Sequence, residues 1–491
     1  MGARRPEADM GSAALPPLAP GRERAVALGL LGSWVALAAF CSSGIPPSVD
    51  LPAHAAQLEG LAGLARGDAL VSSVYAAHFV PGYGLVYWLA LPVARAADGA
   101  IAARVASFAS LVLFAAGVLL LCRALRRPAA TLLLALPLAF NVSYFHGFLP
   151  FAFATSLGLL TLAALAFSAQ GGRLPGSLFG VGMALTWFAH LPASMVLLVA
   201  AWAAAAAQPR ERRAGMVRRV ALASVLPGVL TAPAVLGMLG ERDPARSGRT
   251  VLDPLSHLNW FFHNYRPEGF LAWTLPLAMT GVFVVVAWRR RSVEPRAPLA
   301  VFCALSLLYL LTPRHFAGAS HFAVRLPALA AVAALLAVDL RALPRWLRMA
   351  FALLALVSLA ETAAFHVRFG RAVEGLAAVR PPGAAGRHAF QPLGGDRILG
   401  SRLPYLYHLG NWVTAARGGV GNDLLAGNPQ EPLRYRSGEA LPDFLRDFTP
   451  EQRARLDAIY LFGPGPVPPV LAGFAEAAHS GGWRRLQRRP P

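Results

Sequence analysis

The chain has 491 residues, of which 56% are hydrophobic and only 14% charged, against the roughly 25% charged residues of an ordinary soluble domain. That excludes an ordinary soluble domain and predicts a polytopic membrane protein, whose apolar runs must reach about 17–25 residues to span as helices. The formal charge of +20 comes entirely from arginine, since the sequence has no lysine; the arginines cluster in short loops between apolar runs, where they orient spans, and this argues against nucleic-acid binding.

Residues 1–24 are rich in Pro, Gly and Ala and end in charges, as expected of a disordered cytoplasmic tail rather than a cleaved signal. Spans are predicted at about 25–45, 100–122, 129–145, 148–168, 175–189, 191–207, 218–240, 270–288, 297–312, 326–340 and 349–366. Basic residues fix their direction. "RRP" and "RER" place the N-terminus in the cytoplasm, and "CRALRRP" (122–128), "GGRLP" (171–175), "QPRERRAGMVRR" (208–219), "WRRRSVEPR" (288–296) and "RALPRWLR" (341–348) fall on the same side. Eleven spans send the C-terminus outside. Counting the apolar segment 79–97 as a span would invert the loop after it, so a juxtamembrane or re-entrant helix on the outer face is expected there. All twelve histidines then fall on the outer side. Cys41, Cys122 and Cys303 lie in or beside apolar runs without metal-ligand spacing.

Residues 367–491 contain no spanning run and are long enough for a small domain. "LDAIYLFG" (456–463) reads as a buried strand and "PVLAGFAEAAH" (469–479) as a helix after it. The expected fold class is an all-α polytopic membrane protein with about eleven transmembrane helices in 25–366, an outer loop at 46–99, and a small extracytoplasmic α/β domain at 367–491.

The stretch "PPSVDLPAHAAQLEGLAGLAR" (46–66) follows the first span and carries Asp50 four residues before His54. On a helix starting near Val49 the two share a face with Gln57, Leu58 and Leu61. Asp50 suits an N-cap and Pro52 the first turn. Alternatively, a carboxylate held just outside the bilayer acts as a general base, or as a partner for a metal, with His54 orienting it or contacting substrate. Glu59 and Asp68 follow on other faces or past the helix end, which weakens a metal site, since hard cations need several oxygen ligands. No cofactor is indicated, although a divalent ion is compatible with the acid.

An acidic motif directly after span one, then the aromatic "HFVPGYGLVYWLALP" (78–92), then a span opened by an arginine, "AARVASFASLVLFAAGVLLLCRALRRP", resembles the start of GT-C-type polyprenyl-phosphate-sugar glycosyltransferases. The resemblance covers about the first 130 residues. It implies that Asp50 is the first-loop acid acting as catalytic base, that segment 79–97 is the family's juxtamembrane helix, and that Arg104 is the arginine opening the second span. Many members carry two adjacent acids; here Leu51 follows Asp50.

Later outer turns offer substrate contacts. "TPRHFAGASHFAVRLP" (312–327) carries Arg314, His315, His321 and Arg325, and the planar guanidinium suits phosphate oxygens. "FNVSYFHGFLPF" (140–151) places Asn141 and His146 among aromatics, either an interfacial girdle or the lining of an acceptor or sugar pocket. Asp253, His257 and Trp260 in the polar loop 241–269 can share a helical face and cover the site. The function expected is transfer of a sugar from a polyprenyl-phosphate donor to a glycan or lipid acceptor at the outer face of a bacterial inner membrane, with membrane lipids as partners. A transporter or flippase would need mid-span charges and internal repeats; few such charges and no repeat are legible. A non-catalytic envelope-assembly protein is the third reading.

Overall fold

The computed structural model describes residues 20–78, 82–171, 173–240, 270–289, 296–312, 315–316, 319–320, 323–379, 386–395, 397–399, 403–422, 426, 431–442 and 445–489. The expected lid residues Asp253, His257 and Trp260, and the candidates Arg314 and His321, lie outside them.

The described helices run α1 (Pro20–Ser42), α2 (Leu51–Arg66), α3 (Ala69–Val74), α4 (Leu85–Ala96), α5 (Gly99–Ala124), α6 (Ala130–Ala135), α7 (Val142–His146), α8 (Leu149–Ser168), α9 (Arg173–Ala189), α10 (Leu191–Ala206), α11 (Arg210–Gly240), α12 (Phe270–Arg289), α13 (Arg296–Leu311), α14 (Pro327–Ala337) and α15 (Arg345–Ala372). Among the described residues five helices are long and apolar enough to cross a membrane, and seven more are apolar with 10–17 residues. One of the seven is α4, the segment expected to lie along the outer face. The remaining eleven sit where the spans were predicted, and the protein is a multi-pass membrane protein.

Small and hydroxyl residues set the packing of the central helices. Asp98 caps α5 by accepting from the Ile101 amide at 2.6 Å. Further along α5, a Cβ on Gly117 would lie 2.7 Å from that of Leu159, so α5 and α8 approach too closely for any larger residue. Ser156 donates across the same seam to the Ser110 carbonyl at 2.8 Å.

The arginine-rich turns gather at one end of the bundle. Arg127 is buried and donates to the carbonyls of Leu336 and Ala337 at 2.9 and 3.1 Å, with Asp339 3.8 Å away. Arg219 donates to Ser168 at the end of α8, and Arg341 reaches the Arg126 carbonyl at 3.5 Å. Leu336 and Ala337 end α14 and Ser168 ends α8, so arginines of these turns bond carbonyls at helix C-termini.

The opposite end carries α2, α3, α4 and the C-terminal domain. That domain is a sheet of order β5-β4-β7-β9-β8, formed by β4 (Arg387–Pro392), β5 (Val420–Gly421), β7 (Ala458–Phe462), β8 (Phe474–Ser480) and β9 (Trp483–Arg488). β7 is the buried strand expected from "LDAIYLFG" and pairs in parallel with β4. The helix expected at 469–479 is instead a turn at Pro469–Leu471 followed by β8. Its alanines favour a helix locally, but antiparallel pairing with β9 across the Gly481–Gly482 turn satisfies its backbone, and tertiary context overrides propensity.

Two short pairings complete the strands. β2 (His315–Phe316) meets β3 (Ala319–Ser320), and β1 (Tyr75–Ala77) pairs antiparallel with β6 (Leu433–Tyr435) in the register Tyr75 opposite Tyr435. The second pairing binds the C-terminal domain to the loop after α3. The helix Asn411–Arg417 packs on α2, and Tyr405, Leu409 and Trp412 join one apolar core with Leu58 and Ala62.

Candidate functional site

Asp50 occupies the N-cap position of α2, yet its side chain makes no capping hydrogen bond. The helix start is held by its backbone instead. The Asp50 amide donates to the His146 carbonyl at 2.8 Å and the Val49 amide to Phe145 at 3.1 Å. Gly147, which ends α7 at φ +78°, lies against this turn so closely that a Cβ would overlap Ser48 Oγ and the Leu51 amide nitrogen. Both the left-handed conformation and the contact require glycine. The carboxylate, released from capping, is 20% exposed and faces His408 Nε2 at 3.5 Å.

The expected Asp50/His54 face therefore resolves into two separate contacts. Asp50 turns to His408 of the C-terminal domain, while Nδ1 of the buried His54 bonds to the Tyr87 hydroxyl of α4. Tyr87 continues to Glu431 at 2.8 Å, and Tyr83 reaches the other oxygen of the same carboxyl at 3.1 Å. Burial raises the Asp50 carboxyl, opposed by the charges of His408 and Arg325. Burial also pushes His54 down to about 3, with His408 and Arg325 acting the same way and a hydrogen bond to the Gly147 carbonyl opposing them. His54 is thus a neutral imidazole at physiological pH. Burial and the Glu431 charge keep the Tyr83 and Tyr87 phenols protonated.

Arg325 sits in the turn Ala323–Arg325, 8% exposed, its guanidinium 3.8 Å over the Phe148 ring and 5.0 Å from that of Phe151. Aromatic faces stabilise a cation without consuming all of its hydrogen-bonding capacity. Its field reaches Asp50, His54 and Tyr83. Arg325 lines a small cavity with Ser48, Leu51, Gly147 and Leu329. Thr155 and Leu329 also line a larger apolar chamber of about 400 Å³ between α5, α8, α10, α13 and α14, within the size range of small-molecule sites. The cation's cavity thus shares walls with an apolar chamber, and the Asp50 carboxylate lies within the field of that cation. Such a site suits a ligand with an anionic head and a hydrocarbon tail.

The other candidates have local partners. Arg104 donates to the carbonyls of Ala100 and Gly44 at 3.1 and 3.4 Å, tying α5 to the turn after α1. Asn141 caps α7, accepting from Ser143 and donating to the Leu138 carbonyl, and lines the small cavity. His146 contributes its carbonyl to Asp50 and stacks its ring on Phe148 at 5.0 Å. His190, whose ring lies 5.3 Å from those of Tyr83 and Phe151, caps α10 beside the site. Among the described residues no group of three or more His, Cys, Asp or Glu gathers to hold a metal.

Sequence reasoning missed Tyr83, Tyr87, His408 and Glu431 as site residues. Tyr83 and Tyr87 stand four apart in "YGLVY", one face of a helix, a signal open to the same argument used for Asp50 and His54. His408 and Glu431 lie in irregular Gly/Pro-rich chain, where no period marks which side chain turns inward.

The sequence matches no protein-family model and no curated protein. Among solved structures, the apo crystal structure of ArnT from Cupriavidus metallidurans is 15% identical, with 94% of this chain and 97% of that one aligned at a TM-score of 0.50. ArnT from the same organism bound to undecaprenyl phosphate aligns over the same shares at 14% identity and a TM-score of 0.49. At such identities the likeness is one of fold alone: this chain, a bundle of apolar helices with a small C-terminal sheet domain, shares its fold with ArnT.

Proposed function

We propose that the protein is a membrane glycosyltransferase that moves a sugar from a polyprenyl-phosphate carrier to a hydroxyl of a glycan or lipid acceptor in the cell envelope. The observation that carries this reading is the Asp50 carboxylate within the field of Arg325, whose cavity shares Thr155 and Leu329 with the apolar chamber. The acceptor oxygen attacks the anomeric carbon while Asp50 takes its proton. The bond from that carbon to the phosphate oxygen breaks, with inversion, and the electron pair leaves on polyprenyl phosphate. Arg325 stabilises the charge that builds there. The chamber would house the first isoprene units of the carrier. The shared fold with ArnT supports the reading without identifying sugar or acceptor.

The test is transfer by purified full-length protein from a panel of polyprenyl-phosphate sugars to envelope glycolipids. Ala200→Trp, which fills the chamber at a wall residue, is expected to raise KM about tenfold for a long-chain donor, the loss of roughly 1.4 kcal/mol of binding, and to spare a donor with a single isoprene unit. Equal effects on both donors, or no transfer from any, would count against the assignment.

The same reading places Asp50 and the C-terminal domain outside the cell membrane of a bacterium, with the N-terminus in the cytoplasm. Its support is the gathering of arginine-rich turns at the end remote from Asp50. A periplasm-active reporter fused after residue 489 should be active; activity only for a cytoplasmic reporter there would overturn the orientation.

A further inference from the structure

Glu431 has no part in the transfer step, yet it is a 1% exposed carboxyl within the site. Three polar side chains surround it: Tyr83 just before α4, Tyr87 within it, and Gln57 from α2. Asp50 faces it as the nearby anion. Among the described residues, His54, His408, His190 and Arg325 are the other titratable and charged groups of the site.

The number of protons in this chain restricts its directions. A neutral imidazole carries one N–H and a phenol one O–H. His54 bonds through Nδ1 to Tyr87 and also to the Gly147 carbonyl, an acceptor that requires a donor. With the imidazole proton on Nε2 for Gly147, Nδ1 must accept, and Tyr87 must donate to it. The Tyr87 oxygen can then bond to Glu431 Oε2, 2.8 Å away, only by accepting. Glu431 must therefore carry a proton. If Glu431 is ionised, every bond reverses: Tyr87 donates to the carboxylate, Nδ1–H donates to Tyr87, and a bare Nε2 faces the Gly147 carbonyl.

We propose that Glu431 is a positioning acid, whose proton fixes His54 as its Nε2–H tautomer and thereby clamps α2 to the Gly147 turn that holds Asp50. The clamp acts through His54 and Tyr87 on the segment where Asp50, Val49 and Leu51 meet Phe145, His146 and Gly147. A neutral Glu431 also leaves Asp50 as the anion answering Arg325. Burial pushes Glu431 up to about 7, against the hydrogen bonds from Tyr87, Tyr83 and Gln57 and with the help of the Asp50 charge. The clamped form is thus held below about pH 7 and is lost as the proton leaves above it.

The tautomer part stands without the transferase reading; only the activity arm rests on it. Full-length protein in lipid nanodiscs, labelled with ¹⁵N-histidine and assigned by His54→Gln, is expected to show the Nε2–H pattern at about pH 6 and to lose it by about pH 8.5. Glu431→Gln, whose amide donates to Tyr87 without titrating, should hold the pattern at both. In the transfer assay kcat/KM of the parent should fall about tenfold per pH unit above Glu431's titration, and Glu431→Gln should lose this falling limb while keeping the rising one. A His54 signal indifferent to pH in the parent, or titrating alike in Glu431→Gln, overturns the proposal. Tyr87→Phe covers a failure of Glu431→Gln to fold: with the link cut, the His54 tautomer should no longer follow pH, and unchanged pH dependence refutes the relay. A tautomer switch without transfer from any donor would sink the transferase reading alone.

Discussion

Asp50→Asn is expected to reduce transfer by about 10²- to 10⁴-fold, the usual contribution of a positioned general base, with the variant inserted and folded. The replacement preserves shape and removes only basicity. It costs no helix cap, because the Asp50 carboxylate makes none; its backbone, which Asn keeps, makes the bonds to His146. Loss of stability should therefore be small, whereas a capping carboxylate would cost about 1 kcal/mol on replacement. The pH dependence has a definite sign. Burial raises the Asp50 carboxyl above its ordinary value, so the base is disabled below that raised value and transfer should climb as pH rises through it. Transfer by Asp50→Asn at the parental rate, in protein with unchanged thermal unfolding, would remove Asp50 from the chemistry.

The limits of the sequence are physical. Apolar runs and arginine loops made the membrane domain legible, because length against bilayer thickness and the cost of moving a cation outward act on each segment separately. The expectation that α4 lies along the membrane surface came from the same constraint. What was hidden depends on distant chain meeting. Asp50 was found because it follows a span, but its partner His408 comes from residues 358 positions later, and Glu431 enters only because β6 pairs with β1. The strand at 474–480 was misread as a helix for a related reason. An edge strand of Ala, Glu and His has no local mark, and its partner β9 decides its form. Asp50 and Arg325 were both singled out separately; that the carboxylate lies within the field of that cation is a fact of the fold.

Arg325→Met is expected to lower kcat by about 10²- to 10³-fold, the scale on which one fixed charge-stabilising donor contributes to a transition state. The phosphate carries more charge on its leaving oxygen as the sugar departs, so the interaction strengthens along the reaction and kcat should fall more than KM rises. Methionine keeps much of the volume over Phe148 and Phe151, which limits repacking. Arg325→Lys should recover only part of the loss, because an ammonium is a point charge without the planar fork that meets two phosphate oxygens. A second consequence separates an electrostatic role from a structural one. Arg325 lowers the Asp50 carboxyl; its removal raises that group, and the rising limb of the pH profile should move to higher pH in Arg325→Met but stay near its parental position in Arg325→Lys. A change confined to KM, or a limb that does not move, would reduce Arg325 to a cation buried on two rings.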